Sequence, residues 1–521
     1  VAIGYSAGSA ISTGPENTII GGLAGDALTT GGYNVAVGFR ALSTEDAHGY
    51  NVAIGYQALN VQDAGANAAN VAVGFNAGGG ITTGINNTIM GGYAGDGLTT
   101  GSYNIAIGHN ALSAEDTHGR NVAIGPEALR YQDAGADAYN VAIGFSTGGA
   151  ITTGVGNTLI GGQAGDALTT GGFNTAVGKS ALSTEDANGY CTAIGYQALM
   201  TQDAGVDALN TAVGFDAGGD ITTGINNTLM GHESGNALTT GNHNVAIGYG
   251  TLSAEDAHGR NVAIGTYTLY NQNAGTDAYN IAVGYETGYN VSTGVRNTLI
   301  GGSAGVALTT GSYNIAIGHE ALSTEDEHGR NVAIGYEALE VQNAGADAYN
   351  VAIGFQAGVA VTTGVENVLI GGLAGDALTT GNYNVAVGTY ALSTENTYGR
   401  NVAIGYSTLN ALDAGADAYN VAVGYNAGAN VSTGIQNVLI GGLAGDALTT
   451  GNYNTAVGHL ALTTEDGDGY NTAIGAYTLY TQNAGAAAFN VAVGYNAGFA
   501  MTTGIYNTLV GGLTGDALTS G

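Results

Sequence analysis

Ser43 to Gly49 reads STEDAHG and gathers a hydroxyl, two carboxylates and an imidazole in one short run, the side chains from which a hydrolytic site is assembled. The run returns in steps of 70 residues, and its His48 becomes His118, Asn188, His258, His328, Tyr398 and Asp468. A general base cannot be exchanged for Tyr or Asn and still work, so an exposed polar turn is expected here and an enzyme is not. The glycine-rich GGLAGDALTTGGYN, residues 21–34, lacks the G-x-G-x-x-G spacing, and no helix follows to offer its N-terminus to a phosphate. GFNTAVGKS, residues 172–180, holds the chain's only lysine, Lys179, but is one residue too long for a P-loop.

Other residues suggest binding. Asp46 and Asp63, like Asp116 and Asp133, hold equivalent places in adjacent segments. Parallel carboxylates a strand spacing apart repel unless screened, and Ca2+, which accepts several oxygens in loose geometry, is the candidate cation. The row weakens to Asn273, Asn343 and Asn483, so solvated acids are the simpler expectation and no cofactor is required. Tyr33, Tyr50, Tyr103 and Tyr139, interleaved with Arg120, form a column that suits either sugar rings or mutual stacking. Cys191 has no second cysteine to pair with. Thr pairs such as Thr29 and Thr30 raise ice binding, but they give way to TED and QDAG in half the segments.

These residues are positioned by a repeat, and a fixed period overrides local motifs. Cutting after each Asn that precedes a VAIG-like tetrapeptide gives segments of 17, 17, 17 and 19 residues, a four-segment block of 70. The blocks are 1–70, 71–140, 141–210, 211–280, 281–350, 351–420 and 421–490, with a partial block 491–521. A single continuous array over 1–521, an excerpt of a longer chain, is expected. In each segment Val52-Ala53-Ile54-Gly55 or its equivalent alternates with period two, which predicts a short strand. A Gly-containing turn then returns the chain, so each segment is one coil. Its strand can pair only with the strands of neighbouring coils, which predicts an all-β parallel β-solenoid, or β-roll, of about thirty coils. At ~4.8 Å per coil the array is about 140 Å long. One coil alone buries too little apolar surface to offset the ordering of its backbone, so stability must be shared between coils.

Asn closes 28 of 29 completed coils, including Asn17, Asn34, Asn51, Asn70, Asn87 and Asn104, with Cys191 the exception. An axial ladder of side-chain amides is expected. Val and Ile at the first and third positions are expected to fill the coil. The intervening face, Ala53 and Gly55 with Ile19, Ile89, Leu159 and Leu229 once per block, is expected to be a seam against other copies of the chain. Packing of that face within its own coil is the alternative. With 40 acids against 8 bases the net charge is −32, which disfavours nucleic acid and anionic lipid as partners. No apolar run reaches membrane-spanning length.

The stretches NVAIGYQAL (51–59), CTAIGYQAL (191–199) and NVAIGYEAL (331–339) carry a resemblance that extends over all thirty coils. The chain resembles YadA-type trimeric autotransporter adhesin heads and the NTAVGYQAL-style repeat shafts of bacteriophage tail fibres. The resemblance implies a left-handed homotrimeric β-roll, side by side or intertwined, with the small-residue strand near the threefold axis. It also implies display on a cell or virion surface, extracellular attachment to a host, glycan or receptor, and a structural role. The 17, 17, 17, 19 pattern is longer than the usual adhesin coil. The competing expectation is a monomeric calcium-binding or ice-binding solenoid of the cell surface.

Overall fold

A β-branched residue on either side of a small one favours extended backbone, and the Gly that follows ends the strand after three residues. A computed structural model, which describes residues 1–521, has this strand in every coil and no helix, so no helix is long and apolar enough to cross a membrane. The chain divides into two compact units, Val1–Arg260 and Asn261–Gly521. The first carries strands β1 (Ala2–Ile3) to β15 (Val245–Ile247), and the second β16 (Val262–Ile264) to β30 (Thr508–Val510).

Within each unit every strand pairs in parallel with the next, as a parallel β-solenoid requires. Thr158, Leu159 and Ile160 lie opposite Thr175, Ala176 and Val177, an offset of one 17-residue coil. After each fourth coil the offset becomes 19, with Val52 opposite Val71, and the register is kept. The two extra residues are absorbed in a loop, where the added Asp137 accepts a hydrogen bond from the Gly119 N–H of the preceding coil at 3.0 Å.

Gly at the fourth position closes the strand for two reasons. Gly55 has φ +141°, a region that side chains avoid. A Cβ there would also overlap the carbonyl of Gly74 in the next coil.

The strand faces the opposite way from the expectation. The central residue points inward: Ala53, Ile19, Ile89, Leu159 and Leu229 are fully buried in their own chain. The flanking Val and Ile point outward, with Ile54 38% and Met90 42% exposed. Ala53, Ile19, Ile89, Leu159 and Leu229 therefore form no seam; Gly55, half-buried, contributes a strand end. Volume explains the pattern. Where the eighth residue of a coil is Leu, as at Leu42 and Leu59, the second is Ala36 or Ala53, and all four are buried. In the second coil of each block the eighth residue is Gly and a large aliphatic at the second position takes the space, whereas the first coil has Gly there with Ala at the second position. A Cβ on Gly25 would strike Ile19 and Leu28, and one on Gly165 would strike Leu159 and Leu168. Beside the buried residue three places further on, such as Leu28 or Leu168, the second and eighth positions together hold Ala plus Leu, or Ile or Leu plus Gly, but not two large side chains.

Candidate functional site

Position 11 of the coil is a second interior column, and in the first block it reads Ile11, Leu28, Glu45, Gln62. Glu occupies it in the third coil of all seven blocks, at Glu45, Glu115, Glu185, Glu255, Glu325, Glu395 and Glu465, and each is fully buried. The STED run is thus a turn with Thr44, Asp46 and Ala47 exposed, as expected, but with Glu45 turned into the coil. The chain tightens there: the N–H of His48 donates to Glu45 Oε1 at 3.1 Å, and the hydroxyls of Ser43 and Thr44 donate to the Asn60 carbonyl of the next coil. Burial is the main cause that pushes Glu115, Glu325, Glu395 and Glu465 up to about 7. Gln62, one coil on, resolves the same position without charge, accepting from Asn70 Nδ2 at 2.6 Å and donating to the Thr82 carbonyl at 3.0 Å.

Beside this column runs the asparagine ladder, and its bonds differ from an amide-to-amide stack. The Oδ1 atoms of Asn17, Asn34, Asn51, Asn70 and Asn87 accept the backbone N–H of Asn34, Asn51, Asn70, Asn87 and Asn104 at 2.8 to 3.1 Å. The Nδ2 atoms mostly donate to a carbonyl of the next coil, as Asn17 does to Gly31 at 2.8 Å. Side chain thus bonds to backbone, which satisfies main-chain groups that a three-residue strand leaves over. Cys191 receives the ladder through its N–H, bonded to Asn174 Oδ1 at 2.9 Å, but has no oxygen to pass it to Asn210. Burial pushes its thiol up to about 12, so it is inert while the coil is folded. Cys191→Asn is expected to stabilise the first unit by about 1 kcal/mol through the restored rung. The check is a rise in its melting temperature, and native Cys191 should resist alkylation until denaturant is added.

Outward, the first, third and fifth positions of each coil hold Val, Ile, Thr, Met and aromatic or small residues, with Pro126 and Lys179 the exceptions, and none of the chain's 40 acids. Aromatic columns edge this face. Tyr33 stacks on Tyr50 with centroids 5.0 Å apart, and Tyr56 on Phe75 at 5.1 Å. Arg120 lies between Tyr103 and Tyr139, 5.5 Å from each ring, and bonds Asp137 at 2.7 Å. One ring face of each of Tyr33, Tyr50, Tyr103 and Tyr139 is thus covered by a neighbour along the column.

Asp46, Asp63 and Asp133 are exposed and Asp116 half-buried. Lys179 is exposed. The Thr29 hydroxyl donates to the Asp46 carbonyl at 3.0 Å and that of Thr30 to Ala47 at 3.5 Å, so the Thr pair is bonded to the next coil and presents no array of free hydroxyls. Sequence reasoning missed the buried Glu column. Its signal was the retention of Glu in seven copies while its neighbours changed. No protein-family model matches the chain, and no curated protein matches it.

Proposed function

We propose that this chain is a structural and adhesive shaft of an extracellular or virion-surface fibre, assembled from copies of itself through the outward strand face. The observation that carries the reading is the acid-free aliphatic face edged by stacked aromatics on a chain of net charge −32. Contiguous apolar surface of this kind marks an interaction site. The repeated coil gives a second copy the same spacing, so side-chain rows of two copies interdigitate in register. The half-exposed Val and Ile of one coil offer about 1–2 kcal/mol on burial. Over the fifteen coils of one unit the gross gain exceeds the roughly 4–15 kcal/mol cost of association. Resemblance to trimeric fibre repeats favours three copies, now with Val and Ile rather than Ala at the contact.

Light scattering of the full chain is expected to give a mass of about three protomers at micromolar concentration. Ile54→Glu, Ile124→Glu and Ile194→Glu together should shift it to a monomer with an unchanged far-ultraviolet circular dichroism spectrum. A wild-type chain that stays monomeric would sink the reading.

A further inference from the structure

We propose that the Glu-Asp-x-His turns of the third coils bind divalent transition-metal ions of the zinc class, one per turn. The inference is independent of the shaft reading and rests on different residues. Four turns have the full set: Glu45, Asp46 and His48, with their counterparts at 115–118, 255–258 and 325–328. In each, one carboxylate oxygen from the Glu and one from the Asp lie with a ring nitrogen within 4.8 Å of one another.

The acidic residues alone would carry nothing, since such clusters are common and usually solvated. Two further observations point to a ligand. Glu45 and Glu325 are fully buried, yet the Oε2 of each has no hydrogen-bond partner. The Nδ1 atoms of His48 and His328 are likewise buried and without a hydrogen bond. They stand 3.6 and 3.9 Å from the Glu Oε1 atoms, too far for one. A buried carboxylate with one oxygen unpartnered, beside a ring nitrogen that also lacks a hydrogen bond, is costly unless something positive lies between them. Two ligands at ~2.0–2.1 Å on a tetrahedral zinc ion lie about 3.3 Å apart, so a small rotation of the half-exposed His closes the geometry. Asp46 is exposed and free to turn in as the third ligand, which leaves a fourth position open to water. Asp63 and Asp133 of the following coils act electrostatically on Glu45 and Glu115 and add negative charge beside those turns.

The ligand set selects the ion. Imidazole suits zinc, copper, iron and nickel, whereas calcium takes oxygen ligands in larger number. The repeat also supplies controls. In the sixth block Glu395 is kept while Asp and His are both replaced, by Asn396 and Tyr398. In the third, Asn188 takes the His place and its Nδ2 donates to Glu185 Oε1 at 3.2 Å, while Oε2 stays without a partner. The turn therefore folds without His. At His118 the Thr117 hydroxyl lies 2.8 Å from Nδ1 and would have to yield, so the turns at Glu45 and Glu325 should fill first.

The test is equilibrium dialysis of the full chain against Zn2+ near neutral pH, with bound metal counted per chain. One zinc ion per complete turn is expected, and the variant H48N/H118N/H258N/H328N, which uses the residue present at position 188, should lose at least nine-tenths of it. Five of the nine histidines remain in that variant and report adventitious binding. Equal uptake by variant and wild type, or none by either, would overturn the proposal. Should the quadruple variant lose its β-sheet spectrum, H328N alone must lower the count by one ion, and an unchanged count would overturn it equally.

Discussion

Gly335→Ala is expected to destabilise the second unit by about 3–5 kcal/mol, while Gly345→Ala in the same coil costs about 1 kcal/mol. Both glycines have positive φ, so a preference for glycine by sequence alone does not separate them. Gly335 lies at φ +142°, where side chains are almost never found, and a Cβ there would come within 2.6 Å of the Gly354 carbonyl carbon. That carbon is backbone and cannot rotate away. Relief requires the two coils to part, which breaks the strand rungs between them. Gly345 lies at φ +68° in the loop of the 19-residue coil, with nothing within 4 Å of a Cβ, so only the left-handed strain remains. Thermal melts followed by circular dichroism, with hydrogen exchange to locate the opening, measure both. Equal shifts for the two variants would mean that coil-to-coil contact does not set the glycine, and the stacking account of the fold would fail with it.

The contrast shows what could be read from residues alone. Period, strand, the fourth-position glycine and the closing Asn were legible because each repeats at a fixed place and answers to backbone geometry. The facing of the strand was not. Period two says that there are two faces, and the usual ranking places Val and Ile inside. Where Leu holds the eighth position the second has room only for Ala, and the Val and Ile on either side of that Ala turn outward. The signal lay in a compensation between distant positions, with Ile19 paired to Gly25 and Ala53 to Leu59, and in the missing acids of the outward positions. The turns were hidden for another reason. Leu59 at φ +49° and Tyr50 at φ +65° take left-handed conformations that such residues rarely adopt, and only stacking against the next coil holds them there.

A buried acid in place of an aliphatic makes the fold depend on pH, and Glu395 and Glu465 show it most plainly because neither block has the Asp and His pair. Glu395 Oε1 accepts the Tyr398 N–H at 3.2 Å and its Oε2 has no partner. Glu465 accepts from the Asp468 N–H at 3.2 Å and from Asn471 Nδ2 at 3.3 Å. The charged groups facing them are all negative: Asp413 beside Glu395, and Asp466 and Asp468 beside Glu465. Burial first, and these charges second, raise both from 4.5 to about 7. A carboxyl whose folded pKa exceeds its unfolded one binds its proton more tightly in the folded state. Its contribution is therefore complete below about pH 4.5, is lost as pH rises, and is gone above about 7, at about 3 kcal/mol for each group. Glu395→Gln with Glu465→Gln should leave stability at pH 4 close to wild type and raise it by several kcal/mol at pH 8. Repulsion among the remaining acids also grows with pH, but it is common to both proteins and cancels in the difference. Denaturant melts of the full chain at the two pH values read that difference, and one that stays constant across the window would mean that these carboxylates are already ionised inside the coil, held by a cation or by water rather than by their protons.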